Sequence, residues 1–148
     1  MSGDGDLIKL YSQRILALAA GIPHTERLEN PQATAFKRSP LCGSTVTVDL
    51  VIEDGRIADF GQDVKACALG QASAAILGAN VIGRTREEIE TAATQLKAML
   101  KSGGPVPDAP FDDYEALQPA KDYKNRHASI MLALEATLDA FDKASVAA

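Results

Sequence analysis

From Ser44 to Lys65 the chain carries a pattern that only a strand pair satisfies. Val46, Val48, Leu50 and Ile52 alternate with Thr45, Thr47 and Asp49, and Asp54-Gly55 supplies a turn before a second run from Ile57 to Lys65. Such a hairpin must lay one face on a core, and its register decides which face. A two-residue Asp-Gly loop sets Leu50 opposite Asp59. A three-residue loop with Gly55 as a left-handed bulge sets Val48 opposite Phe60 and Leu50 opposite Ala58. The second register buries more apolar surface and is the expected one.

Around the hairpin the period is helical. Asp6 precedes Leu7, Ile8, Tyr11, Ile15 and Leu18, a spacing that stops at Gly21 with Pro23 beyond, so a first helix of about four turns is expected. Residues 22 to 43 read as irregular. A helix is expected from Cys67 to Ala79, with Leu69, Ala72, Ile76 and Ala79 on a narrow face. Thr85-Arg86-Glu87-Glu88 is a capping box, and Ile89, Ala92, Leu96, Met99 and Leu100 continue it as an amphipathic helix ending at Gly103-Gly104-Pro105. GGPVPDAPF, residues 103 to 111, is a loop. A short helix from Asp112 to Leu117 precedes Pro119, and a final helix from Arg126 to Phe141 sets Ile130, Met131, Leu134, Leu138 and Phe141 on its core face. No repeat or boundary divides the chain, so residues 1–148 are read as a single α+β domain, a small antiparallel sheet covered by helices.

Composition narrows the partners. A formal charge of −5 with no dense Lys/Arg block argues against a nucleic-acid or anionic-membrane surface. Ala66 to Gly83 runs eighteen residues without a charge, near the length of a spanning helix. Gln71, Ser73, Asn80, three glycines and many alanines fit a small-faced helix in a core instead. MSGDGD lacks the cationic start of a secretory signal, so a cytoplasmic setting with reduced thiols is expected.

Antiparallel pairing brings the two cysteines together. Opposed residue numbers sum to about 108 or 109 in the two registers, so residue 42 faces residue 66 or 67, and Cys42 and Cys67 would meet at the open end of the hairpin. Cys67 also opens a helix, where free N–H groups and the dipole favour a thiolate. A lone cysteine is ordinarily core filler; two converging on element junctions suggest a metal site, with a disulfide disfavoured by the expected compartment. Two thiolates do not complete a zinc or iron site, and His127, at a helix start, is the candidate third ligand. His24, between Pro23 and Thr25, is a lesser candidate.

These residues resemble the U-type iron–sulfur cluster assembly scaffolds, the IscU/SufU/NifU N-terminal family. The resemblance runs through Leu28-Glu29-Asn30-Pro31, Pro40-Leu41-Cys42-Gly43, the Asp54-Gly55 hairpin, Cys67 with its small-residue helix, and Arg126-His127-Ala128-Ser129. Gly103 to Ala120, with Tyr114-Glu115-Ala116-Leu117, is similar to an insertion of the SufU branch. The resemblance implies a sheet of about three strands in a SufE/IscU-like architecture. It also implies a scaffold, not an enzyme, that takes sulfur from a cysteine desulfurase, holds a transient [2Fe–2S] cluster, Fe or Zn, and passes clusters to acceptor proteins or carriers, as a monomer or weak homodimer. Cys42 and Cys67 match the family's first two cysteines and His127 its histidine; alternatively His127 stands at the SufU cysteine.

Two positions depart from that pattern. Ser44 stands where the family has an aspartate, and Ala128 where the IscU branch has its third cysteine. The fourth position then falls to Ser44, a water, a carboxylate such as Asp63, or a partner's thiol. A zinc-stabilised interaction protein that has lost scaffold activity is the alternative, and a cysteine–histidine enzyme with Cys67 as nucleophile is a third reading without an oxyanion loop to support it.

Overall fold

The computed structural model describes residues 11–40 and 43–147. The first helix seen, α1 (Gln13–Ala20), starts later than its periodicity predicts. Ser12 breaks the spiral and caps it, its hydroxyl accepting from the Ile15 amide at 3.2 Å. Ile15 is buried with Tyr11 and Leu18 packed alongside, as expected; Leu7 and Ile8 lie outside the described residues.

A three-stranded antiparallel sheet follows in the order β1 (Ala33–Arg38), β2 (Thr45–Glu53), β3 (Arg56–Lys65). β1 corrects the reading of residues 22 to 43 as irregular. Its inward residues, Ala33 and Ala35, are too small to stand out as a hydrophobic stripe, and Phe36, Lys37 and Arg38 are exposed.

The hairpin register also needs correction. Asp54 and Gly55 both have positive φ, 53° and 75°, the two-residue turn that needs left-handed backbone at both positions. Ile52 therefore pairs with Ile57, and an irregularity beyond it leaves Ala58 unpaired and shifts the remainder to Leu50 opposite Phe60 and Val48 opposite Gln62. The bulge sits inside β3, not at the turn, and still delivers Leu50 and Phe60 to the core.

The outer face of the sheet is covered by chain rather than by helix. Asp49, fully buried on the central strand, accepts hydrogen bonds from Arg27, from the Leu28 amide at 3.1 Å and from Thr34 Oγ1 at 2.6 Å. Gly61 lies opposite Asp49, and a Cβ there would stand 2.4 Å from the Glu26 carbonyl oxygen. The glycine lets residues 26–28 cross the strand.

Helices α2 (Ala68–Asn80), α3 (Arg86–Ser102) and α4 (Lys124–Ala147) complete the domain, with a run of 3₁₀ turns (Asp112–Asp122) between the last two. The Thr85–Glu88 capping box is present in both directions and Gly103 closes α3 in the left-handed region. α2 buries far more than the narrow face expected. Leu69, Ala72 and Ile76 are buried along with Ser73, Ala74, Ala75 and Leu77, while Ala79 is exposed. The 3₁₀ segment runs through Pro119 instead of ending before it, and carries Tyr114 into the core, where its hydroxyl donates to the Ser73 carbonyl at 3.0 Å. α4 is longer than predicted at both ends and packs on β1 and β2 as well as on α2 and α3, with Ile130, Leu134 and Ala140 inside. No helix among the described residues is long and apolar enough to cross a membrane.

Candidate metal and cluster site

Three junctions meet at one end of the sheet. The β1–β2 connection closes through hydrogen bonds from Ser39 N to the Ser44 carbonyl and from Gly43 N to the Ser39 carbonyl, at 2.8 and 3.0 Å. β3 ends at Lys65, and Cys67 is the N-cap residue of α2, extended in backbone, with its carbonyl accepting from Gln71 N at 2.9 Å. The first turns of α4 come alongside. Cys67 Sγ lies 3.5 Å from Ser129 Oγ, and Ser129 donates to Ser44 Oγ at 3.0 Å. A serine hydroxyl has one hydrogen, so with that hydrogen on Ser44 the thiol donates to Ser129. Ser44 and Ser129 are buried; Cys67 is half-buried and forms no disulfide.

Small residues make this approach possible. A Cβ on Gly70 would stand 2.6 Å from Ser129 Oγ and 2.8 Å from the Ala66 side chain. Gly70→Ala is therefore expected to push α2 from α4 and turn Ser129 away from Cys67, at a cost of about 1–3 kcal/mol. Urea unfolding checks this as a lowered midpoint with an unchanged slope.

The sequence-predicted site residues divide in the structure. Cys42 lies outside the described residues. Its neighbour Gly43 lines one open depression with Ser44, Lys65, Ala66, Cys67 and Arg126. The observed pairing sums to 110 at Thr45 opposite Lys65, where β2 begins, instead of the 108 or 109 expected. His127 lies in the first turn of α4, two residues before Ser129. Its ring is buried with Nε2 2.9 Å from the Ala120 carbonyl oxygen; a carbonyl only accepts, so Nε2 carries the hydrogen and Nδ1 is the nitrogen left to bind. Asp63 sits opposite Thr47 on the outer face, where its charge is felt by the Arg27 guanidinium. His24 stacks edge-on against Phe60, with ring centroids 6.1 Å apart.

The residue missed is Ser129. Its signal in the sequence is the small-residue match between the helices, Gly70 on α2 making room for Ser129 on α4. Among the described residues no group of three His, Cys, Asp or Glu side chains is placed to hold a metal ion. The depression is cationic: Lys65 and Arg126 line it without a carboxylate, and neither has an ion-pair partner among the described residues.

No family model matches the chain. A search of curated proteins finds similarity to the iron–sulfur cluster assembly scaffold protein IscU of Thermotoga maritima, 25% identical over 136 residues, covering 92% of this chain and 95% of that protein. Among solved structures, a candidate iron–sulfur cluster assembly scaffold of the SUF system from Fervidobacterium islandicum shares the fold, with a TM-score of 0.79 at 21% identity over 90% of this chain and 98% of that one. A nitrogen-fixing NifU-like protein (N-terminal) from Brucella abortus is similar at 42% identity and a TM-score of 0.93, covering 97% of this chain and 99% of that one. Identity at that level along nearly the whole of both chains, on the same sheet-and-helix frame, means that the chain belongs to the U-type iron–sulfur cluster assembly scaffold family.

Proposed function

We propose that this chain holds a [2Fe–2S] unit through Cys42 and Cys67 at the open end of the sheet and hands it to acceptor proteins, with sulfur supplied by a cysteine desulfurase. The observation that carries the reading is the setting of Cys67. A filler cysteine is sealed in a core, whereas this thiol is half-buried, outside any disulfide, at a helix start and beside Gly43 and Ser44. Two protein thiolates leave a [2Fe–2S] unit short of its usual four. A cluster held by so few ligands exchanges readily, which suits delivery more than storage.

The zinc-stabilised interaction protein is the second reading, supported by the missing third cysteine. The two differ in what holds the fold together, because a structural zinc contributes its binding energy to folding. Chain purified without oxygen, analysed for metal and melted with and without a chelator, separates them. The scaffold reading expects a melting temperature indifferent to the chelator, and visible bands once iron and sulfide are supplied. One zinc per chain, a chelator-sensitive melt and no bands favour the second.

His127 holds Nε2 on the Ala120 carbonyl with Nδ1 left over, and this reading takes the two thiolates alone as the protein's donors. His127→Ala is expected to keep the visible bands and to lose about 1–3 kcal/mol of stability, because the Ala120 carbonyl loses its donor and the ring's volume is vacated. Bands lost in a variant that remains folded would place the imidazole among the ligands.

A further inference from the structure

We propose that the free edge of β1 docks an extended segment of a partner protein, apolar where it meets Phe36 and acidic where it meets Lys37 and Arg38. The inference stands apart from the iron–sulfur reading above.

The two edges of the sheet differ. Along β3 the Gln62 amide donates to the His24 carbonyl at 2.8 Å; at the turn end the Ile57 amide donates to the Arg84 carbonyl at 3.0 Å and the Gly83 amide to the Ile57 carbonyl at 2.8 Å. Chain from outside the sheet thus occupies that edge. β1 has one strand neighbour among the described residues, β2, and its inner face rests on α4.

The direction of the β1 backbone groups follows from the register. In an antiparallel ladder, pairs that exchange N–H···O bonds alternate with pairs whose groups point away. The Ser39 amide donates to the Ser44 carbonyl, one step beyond the Arg38–Thr45 pair, so the inward-bonded residues of β1 are Lys37, Ala35 and Ala33. The Gln62 amide, leaving the sheet for His24, fixes the same alternation from β3. The N–H and C=O groups of Thr34, Phe36 and Arg38 therefore point off the edge. None of them has a hydrogen-bond partner among the described residues.

Side chains then select the occupant. Phe36 is 57% exposed, on the same outer face as Thr34 and Arg38. Lys37 and Arg38 are exposed, have no ion-pair partner among the described residues, and share β1 with no carboxylate, in a chain of net charge −5. Cations on an edge strand guard it against pairing with its own kind. Two copies joined antiparallel about Phe36 would bring two lysines and two arginines onto one ladder without a carboxylate. An acidic segment turns that barrier into attraction: the backbone bonds supply the ladder and the charges supply the choice. Antiparallel addition places the residue facing Arg38 two positions before the one facing Phe36, so the segment reads acidic, acidic, apolar.

The test titrates a fluorescein-labelled peptide, Gly-Glu-Glu-Val-Thr-Thr-Gly, with the full chain and follows anisotropy, beside an analogue with lysine for both glutamates. Half-saturation by the acidic peptide is expected at about tenfold lower chain concentration at low salt, with the difference shrinking as salt rises. The preference is expected to reverse in the Lys37→Glu, Arg38→Glu double variant, whose melting transition should match the wild type because both side chains are exposed. Hydrogen exchange at the Phe36 and Arg38 amides should slow when the acidic peptide binds. N-methylation of the peptide valine should abolish binding and protection, and N-methylation of the threonine after it should leave both. Equal half-saturation by the two peptides, saturation by neither, or binding without protection of those two amides would overturn the proposal. A chain that dimerises and protects the same amides without peptide would make a second copy the occupant, and would overturn it too.

Discussion

Asp49→Ala is expected to cost about 3 kcal/mol of stability and to lower the melting temperature by about 10 °C. The carboxylate is completely buried on the central strand, where it ties residues 27–28 to the outer face of the sheet and accepts from Thr34 on the neighbouring strand. Removing it leaves the half-buried Leu28 amide without its acceptor, while the exposed Thr34 hydroxyl and the half-exposed Arg27 can turn to water. Thermal unfolding followed by circular dichroism checks the shift, and a change of less than 2 °C would mean that the crossing segment is held by other contacts.

The same carboxylate fixes the acid side of the stability curve. Burial pushes the Asp49 carboxyl up, but the hydrogen bonds from Arg27, Thr34 and the Leu28 amide, together with the guanidinium charge, outweigh it and hold the group below its usual range. The unfolded chain therefore binds this proton more readily than the native one. Asp49 contributes its full stabilisation above the unfolded carboxylate value, near pH 4, and loses it as pH falls through the lower native value. Asp49→Asn should be less stable than the wild type at neutral pH and converge towards it in acid.

How much of this could be seen in the sequence depended on whether a residue advertises its own neighbour. The Thr85–Glu88 box and the stripe from Ile89 to Leu100 are local devices, and α3 appears where they put it. The hairpin was visible from its alternation, but its register was not, because choosing between a bulge at Gly55 and one at Ala58 requires knowing that Asp54 also adopts positive φ. β1 escaped notice because its buried residues are alanines, selected by the closeness of α4 and not by hydrophobicity.

The site was legible in outline and blurred in detail for the same reason. Cys67 opens a helix as its small-residue run suggests, and the need for small residues is explicit in Gly70, which makes room for Ser129. His127 was chosen for its chemistry, and chemistry alone cannot say which way a residue on the first turns of a helix points. In the structure Ser129 is the residue of α4 in contact with Cys67, and the imidazole of His127 is bonded to the Ala120 carbonyl. Asp63 lies on the outer face of β3 opposite Thr47, where its charge is felt by Arg27.

The largest functional effect is expected at Cys67. Alanine there removes one of two thiol ligands from a site whose other near neighbours are the hydroxyls of Ser44 and Ser129, and hydroxyls do not replace thiolate on iron. The fold should hardly respond, since the sulfur is half-buried and its one polar contact is long. Loss of cargo with retention of structure is therefore the signature that separates a ligand from core filler. The decisive measurement is iron and acid-labile sulfide per chain after anaerobic reconstitution of the wild type, Cys42→Ala and Cys67→Ala, each confirmed folded by its melting transition. The account predicts stoichiometric iron and sulfide on the wild type and loss of both from either variant; iron and sulfide retained on folded Cys67→Ala would contradict it.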